Sequence, residues 1–363
     1  MALIICGCGS ENKDSVLKDL KKDLSNIKSY KISGNMEISN DEETFTYSLE
    51  SYYLKDNYYK VILVNQTNNH EQIILKNKED IYVITPALNK SFKFQSEWPD
   101  NSSQAYLLNS LLTDINNTKD VDIQEKDGYI IKTEVNYPNN EELKYQKIYL
   151  NEQKKIEKVE VYDKNDLVKI KVVFDKVDLK AGLKEKDFKL DNYIKEEDNK
   201  ENTNAENQKV NCSESDSVSC EDINKTNEDG NSNTDETANN ENNKETTSIE
   251  NIIYPLYIPS DTYLTSSETI ETETGNRYIL TFSGEKNFVL IEEVAKLNDE
   301  MEIIPVYGEP LMLSESVGAL SANSLSWDVQ NISYYLASTE LTVPEMLTIA
   351  NSLGNTTLVS DIK

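Results

Sequence analysis

Residues 195–250 most constrain how this chain can fold. They consist largely of Asn, Glu, Ser, Thr and Lys and hold almost no large apolar residue. Such a stretch cannot bury enough apolar surface to offset the entropy lost on ordering. It therefore reads as an acidic, disordered linker with 16 acidic against 5 basic residues, a net of -11. Folding is left to the sequence on either side. The expected organisation is a short N-terminal segment over 1–13, a first domain over 14–194, the linker over 195–250 and a small second domain over 251–363, with the two domains moving independently.

Charge narrows the function classes. The chain of 363 residues carries a formal net charge of -28, with a single Arg (Arg277) and a single His (His70). Residues 251–363 contribute a net of -12 and residues 1–194 only -5. A chain this acidic is repelled by nucleic acid and by anionic lipid. No basic stripe with interleaved aromatics offsets that, so no nucleic-acid partner is expected.

The N-terminus points to a membrane. Ile5-Cys6-Gly7-Cys8 is followed at once by polar sequence and resembles a lipobox, the motif in which a small residue precedes a Cys that becomes diacylated. Cys8, with Gly7 before it, is the expected lipidation site and would carry palmitate or a similar acyl chain. Cys6 fits poorly, because Ile5 occupies the position that wants a small residue. A signal peptide needs a basic start and roughly 7–15 apolar residues. No Lys and only a short apolar run stand before Cys6, so Met1 is expected to lie inside a longer leader. A chance Cys-Gly-Cys stays open as an alternative, whereas a metal or redox role finds no partner ligands nearby. No other stretch approaches the roughly 18 apolar residues of a membrane span. The expected location is the outer face of the cytoplasmic or forespore membrane. Stable retention there takes more than one acyl chain.

Along the first domain, Val16, Leu17, Leu20, Leu24 and Ile27 recur at helical spacing within 14–30. Strand-like runs follow at 44–53, 58–64, 71–76, 79–85 and 90–94. In the first two, alternation puts Phe45, Tyr47, Leu49 and Tyr53, and then Tyr59, Val61 and Leu63, on shared faces. After Pro99 a second helix is expected, with Ala105, Leu108, Leu111, Leu112 and Ile115 on one side and Ser102 or Ser103 as its cap. Four more strands are expected at 129–137, 143–150, 155–163 and 167–177, joined by short polar turns that imply an antiparallel meander. A curved sheet with helices on its concave face would bury both helical stripes.

In the second domain, strands are expected at 268–274, 277–283 and 287–294, then around 324–329 and 332–338. Thr342-Val343-Pro344-Glu345 reads as a capping box that opens a final helix, with Met346, Ile349, Ala350 and Leu353 inward and Gly354 as its stop. Cys212 and Cys220 lie in the linker. A disulfide between them, free thiols and a metal site all stay open, with the disulfide the leading candidate.

Chemistry-bearing motifs are missing. His70 sits in a polar turn, Asn68-Asn69-His70-Glu71, and reads as a surface residue with no nucleophile to serve. No metal or cofactor is expected, and the chain reads as a non-enzyme. Tyr is abundant, with Tyr47, Tyr53, Tyr59, Tyr82, Tyr129, Tyr137 and Tyr145 on strands. Ordinary sheet packing and a ligand or partner surface both account for them. Tyr47, Leu49, Tyr53, Tyr59, Val61 and Leu63 are the candidate ligand or partner surface.

Tyr30-Lys31-Ile32-Ser33-Gly34 after the first helix, Ile81-Tyr82-Val83-Ile84-Thr85-Pro86-Ala87-Leu88-Asn89-Lys90, and Trp98-Pro99 before the second helix carry a resemblance. On these residues the first domain resembles the LolA/RseB-like superfamily, and within it the GerS/YdcC-like lipoproteins of spore-forming Firmicutes. Leu325-Ser326-Trp327, Tyr334-Tyr335-Leu336 and Pro344-Glu345-Met346-Leu347 are similar to a small domain of bacterial extracytoplasmic lipoproteins and anti-sigma factors. The resemblance implies an α+β fold, a LolA-like half-barrel plus a small α+β domain. It also implies a binding or recruiting role toward a partner protein in sporulation or germination, with a peptidoglycan amidase as one such partner. A carrier or sensor of acylated ligands and a regulator of an anti-sigma factor are the alternatives it leaves, and a homodimer stays open.

Overall fold

The computed structural model describes residues 13–40, 43–78, 80–194, 249, 251–329 and 331–353. Cys8, Cys212, Cys220, Gly354 and almost all of the 195–250 segment lie outside the described residues. So do the lipidation, disulfide, helix-stop and linker readings that rest on them.

The chain opens with α1 (Lys13–Ser25) and then β1 (Ser29–Ser39), β2 (Thr44–Leu54), β3 (Tyr58–Asn65), β4 (Glu71–Asn77), β5 (Asp80–Thr85) and β6 (Lys90–Phe94). Next come α2 (Leu108–Asn117), β7 (Asp122–Glu125), β8 (Tyr129–Glu134), β9 (Leu143–Leu150), β10 (Ile156–Asp163) and β11 (Val168–Asp178). The C-terminal region supplies β12 (Thr262–Thr272), β13 (Gly275–Gly284), β14 (Phe288–Val294), β15 (Glu302–Val306), β16 (Gly308–Met312), β17 (Val317–Ser321), β18 (Ser324–Val329), β19 (Ile332–Ala337) and α3 (Val343–Asn351).

The architecture is α+β. Among the described residues, one sheet has twelve strands in the order β15-β6-β5-β4-β3-β2-β1-β11-β10-β9-β8-β7, and a second has seven in the order β12-β13-β14-β19-β18-β17-β16. In the large sheet, β2 and β3 pair directly across Tyr53 and Tyr59, Ser51 and Val61, Leu49 and Leu63, and Tyr47 and Asn65. Period-two alternation turns all eight inward. Helix α1 buries Val16, Leu20 and Leu24, and α2 buries Leu108, Leu111 and Ile115, against this concave face. Each such side chain is worth about 1.5–3 kcal/mol in apolar burial. Close approach of β1 to β11 requires Gly34, where a Cβ would lie 2.0 Å from the Val173 carbonyl oxygen.

The half-barrel interior is filled. Tyr30 stacks on Tyr53 at 5.3 Å between ring centroids, Tyr53 lies 5.1 Å from Tyr59, and Tyr59 meets Trp98 edge-on at 6.1 Å. The opposite face is covered too, where Phe188 packs on Tyr58, Ile73, Leu75, Tyr82 and Ile84.

Four readings of the sequence need correction. The two folded regions are not independent bodies: residues up to Lys195 and from Thr247 on form one compact unit, because β15 joins the first region's sheet in parallel with β6, pairing Glu302 with Lys90 through to Val306 with Phe94. Strands β7, β15, β16 and β17 were not expected; β7 has only four residues, Pro305 and Pro310 mask two of the others locally, and the parallel partner of β15 is more than 200 positions away. Strand β12 starts at Thr262, well before 268. Helix α2 starts at Leu108 with no side-chain cap. The Ser103 hydroxyl instead donates to Asp114 Oδ1 at 2.8 Å.

Polar bonds lock the docked region. The buried Gln72 amide nitrogen donates to the Val317 carbonyl at 3.1 Å, and Val317 N–H donates to Gln72 Oε1 at 2.5 Å. The Tyr47 hydroxyl donates to the Ser314 carbonyl at 2.5 Å. Lys90 Nζ lies 2.9 Å from the fully buried carboxylate of Asp328. Val317 and Ala319 complete the first region's own core.

Gln72→Ala removes both bonds and leaves a buried N–H and a buried carbonyl unsatisfied, each costing about 1–3 kcal/mol. Urea unfolding is expected to show a loss on the order of 2–4 kcal/mol. A change within about 0.5 kcal/mol, the range of an ordinary surface substitution, would contradict the docking described.

Candidate binding groove

Where the first region meets the second, a groove of about 530 Å³ remains open. Trp98, Tyr106 and Tyr137 line it from the first region, with Ile38, Leu143 and Ile170 from the ends of β1, β9 and β11. Across from them stand Leu311 and Met312 of β16, Leu347 and Thr348 of α3, and Leu256 and Tyr257.

The aromatic wall is held by a polar network beneath it. Asp114 of α2 accepts from Ser103 Oγ and from Gln146 Nε2, each at 2.8 Å, and Ser103 Oγ accepts from Asn136 N–H at 2.8 Å. This ties the 101–106 segment, which carries Tyr106, to α2 and β9. Burial pushes the Asp114 carboxyl up to about 6 against the opposing effect of those two bonds. Both of its oxygens are occupied, so it is a structural acid. Burial likewise lifts the Tyr106 and Tyr137 phenols far above their ordinary value, and both stay protonated donors.

Helix α3, opened by the capping box expected from the sequence, builds the opposite wall. Thr342 accepts from the Glu345 N–H, and the Glu345 side chain accepts in return from the Thr342 N–H at 2.8 Å. Asn351 near its end accepts from the Ser314 N–H at 2.8 Å and fixes the loop after β16.

The groove is nearly neutral. Its charged lining residues are Glu142, Lys169 and Glu309. Glu142 pairs with Lys164 at 2.5 Å, Lys169 lies 3.9 Å from Asp163, and Glu309 accepts from Asn101 and Asn139. Apolar, hydroxyl and amide surface is what remains to meet a ligand. That surface suits burial of apolar groups with a few orienting hydrogen bonds. Beside the groove, burial and the neighbouring Glu43 push the Glu315 carboxyl up to about 7.

The six strand residues expected to form a ligand or partner surface are core residues instead. Tyr47, Leu49, Tyr53, Tyr59, Val61 and Leu63 are all at most 7% exposed, and none lines the groove. Their alternation is the inward face of β2 and β3 under the helices. Tyr47 also hydrogen-bonds the second region, through Ser314. His70 is also not the surface residue expected. It is half-buried with Nε2 unpartnered, and burial lowers its pKa against the opposing pull of Asp328. Trp98, Tyr106, Met312 and Leu347 were not singled out for binding. No local pattern marks them, because the groove exists only once distant segments meet.

Among the described residues no three His, Cys, Asp or Glu side chains converge as a metal site, and no helix is long and apolar enough to cross a membrane.

Comparison with known proteins places the chain. Residues 1–188 match the family described as sporulation protein YdcC-like. Over 353 residues the chain is 31% identical to the sporulation protein YdcC of Bacillus subtilis (strain 168), covering 97% of this chain and 93% of that protein. Among solved structures, the MucA/MucB complex of Pseudomonas aeruginosa is similar with a TM-score of 0.30 at 10% identity, over 92% of this chain and 96% of that one. The complex of the CwlD amidase with the GerS lipoprotein from Clostridioides difficile gives a TM-score of 0.28 at 19% identity, over 46% of this chain and 94% of that one. Likenesses at this level of superposition assign neither a ligand nor a partner. The family match over more than half of the chain and the near full-length relative agree, and the chain belongs to the sporulation protein YdcC-like family.

Proposed function

We propose that this protein is a lipid-anchored binding module of the sporulating cell, tethered through Cys8 at the outer face of the cytoplasmic or forespore membrane, and that it recruits a partner protein in the groove between its two regions. The observation that carries this reading is the groove itself: open, about 530 Å³ in volume, lined by aromatic, aliphatic and amide groups, with every charged lining residue already engaged. Tyr and Trp at such a surface supply large contact area with a polar tip. Tethering raises the local concentration of anything bound there. On the resemblance alone, a peptidoglycan amidase is the first partner to test. The same apolar lining favours a second reading, in which the groove takes an acyl chain.

The two readings separate by photo-crosslinking in sporulating cells. A benzophenone amino acid replacing the partly exposed Tyr257 in the groove is expected to trap a protein, and one replacing Leu167, 54% exposed and away from it, is not. Adducts with lipid alone would favour the acyl-carrier reading, and equal protein yield at both positions would contradict groove binding. For the anchor, Cys8→Ala, expressed with the natural leader, is expected to release the protein from the membrane fraction while Cys6→Ala leaves it there. The reverse pattern would overturn the assignment of Cys8.

A further inference from the structure

We propose that the outer edge of β12 is a strand-addition site for an extended, Lys- or Arg-bearing segment of a partner protein. The site is separate from the groove.

Among the described residues the two sheets end in four edge strands, β7, β15, β12 and β16. An edge strand offers unpaired N–H and C=O groups to any passing chain, and proteins blunt such edges by shortness, Pro or Lys. Three of the four edges are blunted. Strand β7 has four residues, β15 has five and contains Pro305, and β16 has five and contains Pro310. Strand β12 runs for eleven residues, Thr-Tyr-Leu-Thr-Ser-Ser-Glu-Thr-Ile-Glu-Thr, with neither Pro nor Lys. Its one irregularity lies between Leu264 and Ser266, and from Ser266 to Thr272 it keeps unbroken register with β13. That leaves a seven-residue template rich in Thr and Ser with an exposed Ile270. Strand β13 anchors it by burying Leu280 and Phe282 in the second region's core and Tyr278 against Ile249 and Val294. The template is therefore held on one side, and among the described residues no strand pairs with its outer side.

Charge selects the occupant. Glu268 and Glu271 lie on the strand and Glu273 follows it, with no base among them. The one base on β13, Arg277, is taken by Glu293 at 2.5 Å. A second copy of this chain would bring these carboxylates against their own equivalents, and like charges across a strand pair destabilise it. A segment carrying Lys or Arg would neutralise them while its backbone completes the ladder. Main-chain bonds then supply affinity, and alternate side chains supply specificity.

The test uses the full chain and a labelled synthetic peptide, Thr-Lys-Val-Lys-Thr-Lys-Val-Lys-Thr, followed by fluorescence anisotropy. A second peptide of the same sequence is N-methylated at alternate residues; it keeps the charge and loses the donors. Saturable binding of the first is expected, with affinity at least ten-fold lower for the methylated peptide. Glu268→Lys combined with Glu271→Lys is expected to weaken binding at least ten-fold, and Thr269→Pro to abolish it, with circular dichroism unchanged for the double variant. Equal affinity for both peptides would reduce the effect to bulk charge and overturn strand addition. Absence of binding would overturn it outright. A dimer in sedimentation that Thr269→Pro dissociates would show that a second copy takes the edge, against the occupant proposed here.

Discussion

One side-chain amide supplies two of the hydrogen bonds that join the two halves of this molecule. Gln72 on β4 gives and takes a hydrogen bond with the backbone of Val317, 245 positions later. It acts as a one-residue strand partner between buried residues. Both partners of each bond are buried in the docked molecule, so removing one partner there leaves the other unsatisfied. Strand β15 extends the same logic to a full parallel ladder on β6, and the Lys90–Asp328 pair adds a charge that makes sense only in the docked state. The acidic C-terminal region is thus part of the half-barrel's architecture, closing an edge that would otherwise be open.

Docking decides where the groove lies. The concave face is occupied by α1, α2 and the Tyr30–Tyr53–Tyr59–Trp98 run of rings, so the interior is a core. An open groove lies instead where β16, α3 and the 256–257 segment face Trp98, Tyr106 and Tyr137. A ligand or partner in this groove touches both regions at once. Its binding energy is then linked to the docked arrangement, since a species that binds only that arrangement stabilises it by mass action.

Much of this fold was legible locally. Alternation located β2, β3, β9 and β10 nearly to the residue, and the Thr342–Glu345 capping box located α3. Legibility ended where a residue's role was set by a distant neighbour. Ser103 looks like a helix cap and is bound instead to Asp114. Pro305 hides β15 from any strand pattern, yet sits on an edge, where a missing N–H is tolerated. Tyr47 to Leu63 have the right chemistry for a surface, but period-two alternation gives a face without saying what covers it. The groove could not be read at all, because its two walls meet only through tertiary contact.

Strand β15 belongs to the first region's sheet. Hydrogen–deuterium exchange read by mass spectrometry on peptides spanning 302–306 and 90–94 tests it most directly, since protection reports the free energy of local opening. The expected result is protection of the 302–306 amides on the timescale of the 90–94 amides, with both lost together in mild denaturant. Exchange of 302–306 at the rate of an unstructured chain, while 90–94 stays protected, would contradict the account.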